Sequence, residues 1–402
     1  MSIIVQKFGG SSVADAAKVL NVASRVVDTY KEGNDVVVVV SAQGDTTDDL
    51  IDKAKEINPN ASKREMDMLL SSGEQISIAL LAMAIEKLGC PVISLTGWQA
   101  GFRTNSNYSN ARIDKIDTER LMSELDKKKI VIVAGFQGVN RYDDITTLGR
   151  GGSDTSAVAI ASAIHADKCE IYTDVDGVYT ADPRIVKNAQ KLDEITYDEM
   201  LELASLGANV LHNRSVEMAK KYNTRLEVKS SFEKIDGTVV KEVIKMEKML
   251  IRGVARDNDV ASISIVGVPD TPGIAFRVFS YLSKKGINVD VILQSIGREN
   301  KKDISFTVQK AHLEEAIATL EAEKDNLDFE TIKHREDLSK VSIVGAGMTS
   351  NPGVAAKMFE ALYNAGINIH MISTSEIKVS VLINVEKAER AVQVVHEAFF
   401  GA

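Results

Sequence analysis

Lys7-Phe-Gly-Gly-Ser-Ser12 sets a lysine at the end of an apolar run, Ile3–Phe8, immediately before two glycines and two serines. Glycines at a strand-to-helix turn let backbone amides approach an anion closely, and the next helix N-terminus adds partial positive charge. A lysine at the strand end can reach a phosphate oxygen. Because the lysine precedes the glycines, this is not a P-loop, and the hexapeptide alone also suits a tight turn with a solvated lysine. A second segment, Gly149-Arg-Gly-Gly-Ser-Asp154, follows the run Ile130–Phe136 and precedes a helical stretch from Thr155 to Ile164. Arg150 suits two-pronged recognition of a carboxylate or phosphate, and packing gives little reason for an arginine between loop glycines. Ser153 or Asp154 could instead act as a helix N-cap. The third, Tyr172-Thr-Asp-Val-Asp-Gly-Val-Tyr179 with Asp182-Pro-Arg184, starts like a calcium loop. Its ligand series stops and no closing glutamate is in register. A nucleotide-facing loop is the better reading, with Thr173, Asp174 and Tyr179 near base and ribose and Arg184 near phosphate.

Other polar groups fall at expected strand ends. Ser41-Ala-Gln-Gly-Asp-Thr-Thr47 follows the β-branched run Val36–Val40, and Ser72-Gly-Glu74-Gln75 is expected to open a long apolar helix. Each taken singly reads as a turn or cap. Through about residue 230, β-rich runs alternate with helix-period stretches such as Val13, Ala17, Leu20, Ala23, Val27 and Tyr30. That alternation predicts a three-layer αβα domain around a mostly parallel sheet, with ligands at the strands' carboxyl ends.

Composition shifts near 235–250, and an internal repeat follows. Pro272/Pro352, Gly273/Gly353, Phe279/Phe359, Leu282/Leu362 and Asn288/Asn368 each stand 80 positions apart. Each copy reads strand, Pro-Gly turn, helix, strand, strand, helix. The first has a closing strand near Phe329–Lys333, the second has none, and Met249–Ala255 is expected to supply it. The predicted domains are residues 1–245, 246–335 and 336–402.

Among 402 residues, 44% are hydrophobic and 26% charged, with a net charge of −9. This argues against a nucleic-acid or anionic-membrane partner. Ile3-Ile4-Val5 reads as a strand rather than a signal peptide, and the apolar stretch Ile76–Ile85 is too short to span a bilayer. Cys90 and Cys169 show no metal-ligand spacing and read as reduced structural thiols of a cytoplasmic protein, and the six scattered histidines offer no transition-metal site.

The three glycine- and acid-rich segments, in this order and followed by the repeat, resemble the signature set of the aspartokinases, members of the amino-acid kinase superfamily with tandem ACT regulatory domains. The resemblance covers essentially the whole chain. It implies a ferredoxin-like βαββαβ fold for each ACT unit and transfer of the γ-phosphoryl group of MgATP to the β-carboxylate of L-aspartate. By that resemblance Lys7 stabilises the transferring phosphoryl group, and Gly9, Gly10 and Ser12 line the phosphates. Ser41 and Thr47 contact the reacting carboxylate, Glu74 takes the substrate ammonium and Arg150 its α-carboxylate. Asp154 orients the lysine and the ammonium, while Thr173, Asp174, Tyr179 and Arg184 hold ATP. Relatives can carry a nucleotide-side lysine after a Ser-Ser pair, whereas Ser230-Ser231 here precedes Phe232.

The implied effectors are lysine and/or threonine. The resemblance places them at Asp270, Pro272, Gly273, Ile274, Ala275, Asn288, Gln294, Ile367, Asn368, Ile369 and Thr374. Asn288, Gln294 and Asn368 offer amide groups, although such asparagines also serve as plain caps or turns. The second unit's missing strand and exposed edge predict pairing between subunits, as a dimer or dimer of dimers.

The reaction is physically coherent. An aspartate carboxylate, with a pKa near ~3.9, is already ionised at pH 7 and needs no general base. Its obstacle is repulsion from the polyphosphate, roughly 4 kcal/mol per unit-charge pair at ~4 Å and an effective dielectric of ~20. Lys7, Mg²⁺ and glycine-loop amides answer that obstacle. A glutamate kinase or other superfamily member, and a catalytically dead amino-acid-binding regulator, are the rival readings. Gly345-Ala-Gly347 lacks the third glycine of a dinucleotide fingerprint and supports no dehydrogenase.

Overall fold

The structure, a computed structural model, describes residues 2–206, 210–242, 251–297, 300–346, 348 and 351–401. The chain divides into two compact units, 1–179 with 190–248, and 180–189 with 249–402.

The first unit runs β1 (Ile3–Phe8), α1 (Ala16–Lys31), β2 (Asp35–Val40), α2 (Thr46–Ile57), α3 (Lys63–Lys87), β3 (Val92–Leu95), β4 (Phe102–Thr104), β5 (Ile113–Ile116), α4 (Glu119–Asp126), β6 (Ile130–Ala134), β7 (Gln137–Val139), β8 (Ile145–Thr147), α5 (Gly152–Ala163) and β9 (Lys168–Thr173). It continues through β10 (Glu194–Thr196), α6 (Tyr197–Ser205), α7 (Asn213–Tyr222), β11 (Leu226–Ser230) and β12 (Thr238–Lys241). Eight strands form one sheet in the order β10-β12-β11-β9-β1-β2-β6-β3, parallel except between β11 and β12. Next to the central strand β1 runs the all-valine stretch of β2, buried on both faces as interior parallel strands require. Val36, Val38 and Val40 join one apolar cluster with Val22 and Val26 of α1 and Leu81 and Ile85 of α3. Val37 and Val39, fully buried, point the other way, and α5 lies across β1, β2 and β9. This is the expected αβα sandwich. A separate small sheet, β5-β4-β7-β8, is built from the short strands.

Helix α3 corrects one expectation. It starts at Lys63, with the Ser62 hydroxyl accepting from the Glu65 amide, so Glu74 lies mid-helix rather than at its start. The helix runs straight through Gly73. A Cβ there would come 2.8 Å from the Ala42 Cβ, so the glycine serves close packing against the loop after β2. The 25-residue helix is also long and apolar enough, by length and composition, to cross a membrane, unlike the ten-residue run considered alone. Half of that window is buried within the protein.

The second unit contains β13 (Gly253–Pro269), α8 (Ile274–Lys284), β14 (Ile292–Gln294), β15 (Lys301–Val308), α9 (Leu313–Ala322), α10 (Lys324–Leu327), β16 (Thr331–Val344), α11 (Val354–Asn364), β17 (Met371–Thr374), β18 (Lys378–Asn384) and α12 (Ala388–Phe400). One sheet, β14-β15-β13-β16-β18-β17, serves both repeats. The outer half of β13, from Ala261, pairs with β15 and with Thr331–Arg335 of β16, closing the first βαββαβ unit. Its opening residues, Gly253–Asp257, pair antiparallel with Val344–Lys340, closing the second. The expected donation of a strand is therefore seen over Gly253–Ala255, and Met249 and Leu250 lie outside the described residues. Because that strand comes from the same chain, the place of the second repeat's missing strand is filled from within the described residues. The two sheet edges are β14 and β17.

Residues 180–189 belong to this second unit. Ala181 and Val186 enter an apolar cluster with Val254, Ile343 and Val392. The Val254 amide donates to the Thr180 carbonyl at 2.7 Å, Thr180 Oγ1 lies 2.8 Å from His396 Nε2, and Gln393 Nε2 donates to the Ile185 carbonyl. In the first unit the excursion is closed at its base by a Tyr179–Lys191 bridge.

Candidate active site

The carboxyl ends of the adjacent parallel strands β1 and β2 bring together the loops that the sequence marks. Lys7 sits on β1, and its Nζ lies over Gly9, 3.5 Å from where a Cβ would stand. The same Nζ is 2.6 Å from Asp154 Oδ1, with both side chains 13% exposed. Asp154 occupies the first turn of α5. It is not the cap: Gly151 holds that position at φ +66°, which corrects the reading of Ser153 or Asp154 as N-cap. Left-handed backbone is open to glycine without steric cost, so the loop turns sharply and delivers the aspartate beside the lysine.

Gly10 and the loop after β2 touch backbone to backbone. The Gly44 amide donates to the Gly10 carbonyl at 3.1 Å, the Ser41 amide to the Phe8 carbonyl at 3.2 Å, and Gln43 Nε2 to the Val13 carbonyl. A Cβ on Gly10 would stand 2.7 Å from the Ala42 carbonyl oxygen. Gly10→Ala is accordingly expected to cost about 1–3 kcal/mol of stability, as overpacking does, and to raise the KM for ATP. A thermal melt beside a nucleotide titration checks both. Ser12 is buried and its Oγ has no hydrogen-bond partner among the described residues, which fits a turn whose polar groups await an anion.

Glu74 closes the other side of Ala42. Its Oε1 accepts from the Ala42 amide at 3.1 Å, while Oε2 is buried with no partner among the described residues. Burial is the dominant influence and pushes this carboxyl up to about 7, against the opposing pull of the Ala42 amide. A buried carboxylate with one open oxygen is a seat for a cation. Thr47 stands in the first turn of α2, following the Ser41–Gly44 turn. Arg150 is exposed, and among the described residues nothing pairs with it, as befits a group left for a ligand.

On the nucleotide side, Thr173 ends β9 and its Oγ1 donates to Asp174, which is exposed. The Tyr179 hydroxyl donates to Asp176 at 2.8 Å, and burial together with that acid raises its pKa to about 12. Arg184 falls in the second unit, on the 180–189 segment, with its guanidinium on the Asp182 carboxylate at 2.8 Å. The structure thus gathers Lys7, Gly9, Gly10, Ser12, Ser41, Glu74 and Asp154 around two strand ends, with Thr47 on the first turn of α2 and Arg150 on a loop, but leaves Arg184 outside this unit. Among the described residues no group of three His, Cys, Asp or Glu side chains forms a metal site. Cys90 and Cys169 are free and buried, and burial raises the Cys169 thiol far above its usual range.

Sequence reasoning missed several contributors. The Ser231 amide donates to the Thr173 carbonyl at 2.8 Å, and its own Oγ is buried without a partner. Asp67, fully buried on α3, accepts from the Ser109 amide at 2.8 Å and from the Thr147 amide and hydroxyl at 2.9 and 2.7 Å.

In the second unit Gly273 and Gly353 head α8 and α11 at φ +91° and +96°, preserving the repeat in backbone conformation. Ile274 and Ile367 are buried in the apolar cores. Asp270 pairs with Lys302 at 2.9 Å. Pro272, Asn288, Gln294, Asn368 and Thr374 are exposed, with Ala275 and Ile369 half-buried.

A model of the amino acid kinase family matches residues 2–230, and an ACT domain model matches 263–323 and 341–399. Aspartokinase from Bacillus sp. (strain MGA3) is 52% identical over 400 residues, which cover 99% of this chain and 97% of that one. The chain belongs to the aspartokinase family. Aspartokinase 2 of Bacillus subtilis (strain 168) is likewise 52% identical over 400 residues, 99% of this chain and 98% of its own. Among solved aspartokinases, E. coli aspartokinase III in complex with aspartate and ADP (R-state) superposes with a TM-score of 0.83 at 26% identity, over 99% of this chain and 100% of that one. Aspartate kinase from Synechocystis is 46% identical, with a TM-score of 0.57, over 99% of this chain and 69% of its own. The αβα sandwich followed by ACT domains is thus the aspartokinase architecture, and the activity that goes with it is that of a kinase.

Proposed function

We propose that aspartate phosphorylation is divided among these residues as follows. Glu74 Oε2 takes the substrate ammonium, Arg150 the α-carboxylate, and Ser41 and Thr47 the reacting β-carboxylate. Lys7, with the amides of Gly9 and Gly10 and the Ser12 hydroxyl, holds the γ-phosphoryl group and its developing charge. Asp154 keeps Lys7 directed across Gly9. Thr173, Asp174 and Tyr179 hold the nucleotide. The carrying observation is the buried Glu74 carboxylate with one oxygen unpartnered, a single residue away from the glycine turn that Lys7 covers. ATP is the phosphoryl donor; the ADP bound in the E. coli neighbour supports this. Mg²⁺ would travel with the nucleotide's phosphates and neutralise their charge, with Asp154 or Asp174 assisting, since no carboxylate cage exists among the described residues. ATP-dependent formation of aspartyl hydroxamate tests the assignment, with glutamate as the comparison substrate. Hydroxamate from glutamate and none from aspartate would reverse it.

Regulation follows from the ACT pair. Lysine, the ligand of the E. coli enzyme's T-state structure, is a proposed effector here, alone or with threonine. It would sit where the Pro-Gly turns present helix N-termini to a carboxylate, beside Asn288, Gln294 and Asn368. We place assembly into a dimer, or dimer of dimers, at the exposed edges β14 and β17, in a cytoplasmic enzyme. Saturating lysine plus threonine should suppress hydroxamate formation at least several-fold. Unchanged activity would remove the effector assignment while leaving the catalytic one standing.

A further inference from the structure

Arg214, on the first turn of α7, reaches the loop that carries Arg150. Its Nη1 donates to the Leu148 carbonyl at 2.9 Å and its Nη2 to the Ala111 carbonyl at 2.8 Å. Among the described residues no carboxylate lies within ion-pair distance of it. Its guanidinium is half buried, which works against its charge, as does nearby Arg112, while Glu217 acts in its favour. Held on two main-chain carbonyls rather than on a carboxylate, the guanidinium fixes a geometry between two loops. Arginine is the side chain suited to that geometry, because one planar fork grips two carbonyls on separate loops at once.

The grip falls one residue before Gly149. Gly149 and Gly151 both adopt left-handed backbone, at φ +79° and +66°, so the intervening Arg150 is carried on two joints with little intrinsic preference. Such a loop orients its side chain only if its flanks are pinned. They are pinned three ways. Asp67 holds the Thr147 amide and hydroxyl, Arg214 holds Leu148, and His212 fills the space beside Gly151, where a Cβ would come 2.2 Å from its ring. His212 also caps α7, its Nδ1 accepting from the Arg214 amide at 3.4 Å.

We infer that Arg214 is a positioning residue for the aspartate α-carboxylate, acting through the Leu148 and Ala111 carbonyls to aim Arg150. This rests on the assignment of Arg150 to that carboxylate. Neither carbonyl that Arg214 grips belongs to a nucleotide loop, so its effect is confined to one substrate.

The test uses the full chain with Arg214→Met, Arg214→Lys, Arg150→Ala and the double variant Arg150→Ala/Arg214→Met. Arg214→Met should raise the KM for aspartate about tenfold while the KM for ATP stays within about twofold. Arg214→Lys, which keeps the charge but cannot bridge both carbonyls, should fall between wild type and Met, and carries the same comparison should the Met variant not fold. In the Arg150→Ala background the Met substitution should add less than about twofold, because residues that act in series are not additive. Equal rises in both KM values would reduce Arg214 to a structural brace, and a full additive effect in the double variant would show that it does not act through Arg150. If Arg150→Ala itself leaves the aspartate KM unchanged, the carboxylate assignment falls and this inference with it. If Arg150→Ala raises that KM and both Arg214 variants do not, only the inference falls.

Discussion

Lys7→Ala should lower kcat for hydroxamate formation by about three orders of magnitude, with the KM for aspartate changed far less. Removing one preorganised donor from developing transition-state charge costs roughly 10²–10³ in rate. Here the loss sits at the upper end, because the lysine is a full charge in a largely enclosed position. Substitution also leaves Asp154 without its ion-pair partner, placing an uncompensated carboxylate near the incoming phosphates. Asp154→Asn separates these effects. It keeps the shape, removes the neighbouring anion, and should be milder than Lys7→Ala by at least tenfold. If Lys7→Ala retains more than about a tenth of the wild-type rate in a folded protein, the lysine is not the phosphoryl-stabilising group.

The aspartate KM should climb about tenfold between pH 8 and pH 6. Glu74 must be ionised to pair with the substrate ammonium, and burial sets its pKa near 7. Below that value the protonated form prevails and binding weakens by a factor of ten per unit. In Glu74→Gln the aspartate KM should be higher by about a hundredfold and flat over the same range, with the KM for ATP little altered. Stability must show the opposite sign. The folded protein holds the Glu74 proton up to about 7, while the unfolded chain releases it near 4.5. Stability therefore declines as pH rises through that window. Above it Glu74→Gln should be the more stable protein by up to about 3 kcal/mol, and near pH 4.5 the difference should vanish. A wild-type aspartate KM that is flat from pH 6 to 8 would remove Glu74 from the ammonium seat.

Much of this is legible in the sequence because backbone requirements are written in residue type. The valine run of β2 and the glycines after β1 each demand a local conformation, and the structure has it. The repeat is equally plain, down to the strand that precedes it and completes the second unit. What escapes depends on packing partners far away in the chain. Gly73 looks like a helix start because glycine usually interrupts helices, whereas its purpose is contact with Ala42, thirty-one positions earlier. No motif in the sequence singles out Asp67 or Arg214, and only the fold shows both engaged with loop backbone. Ser231 stands out in the sequence merely as the neighbour of a missing lysine. Arg184 groups with the nucleotide by its place in a motif, yet chain proximity does not keep it in the same compact unit.

The ten residues from Thr180 to Ala189 bear on modularity. The polypeptide passes between the two units three times, at 179/180, 189/190 and 248/249, so the ACT half is not one uninterrupted stretch of gene. A product translated from the Met246 or Met249 codons would have every strand from Gly253 onward, yet would lack Ala181 and Val186 from its apolar cluster and the partner of His396. Exchange of regulatory halves between relatives at the obvious seam near residue 245 would likewise join a foreign ACT pair to a native insert. The inheritable cassette is therefore discontinuous, and a working chimera has to carry the donor's 180–189 along with its C-terminal half.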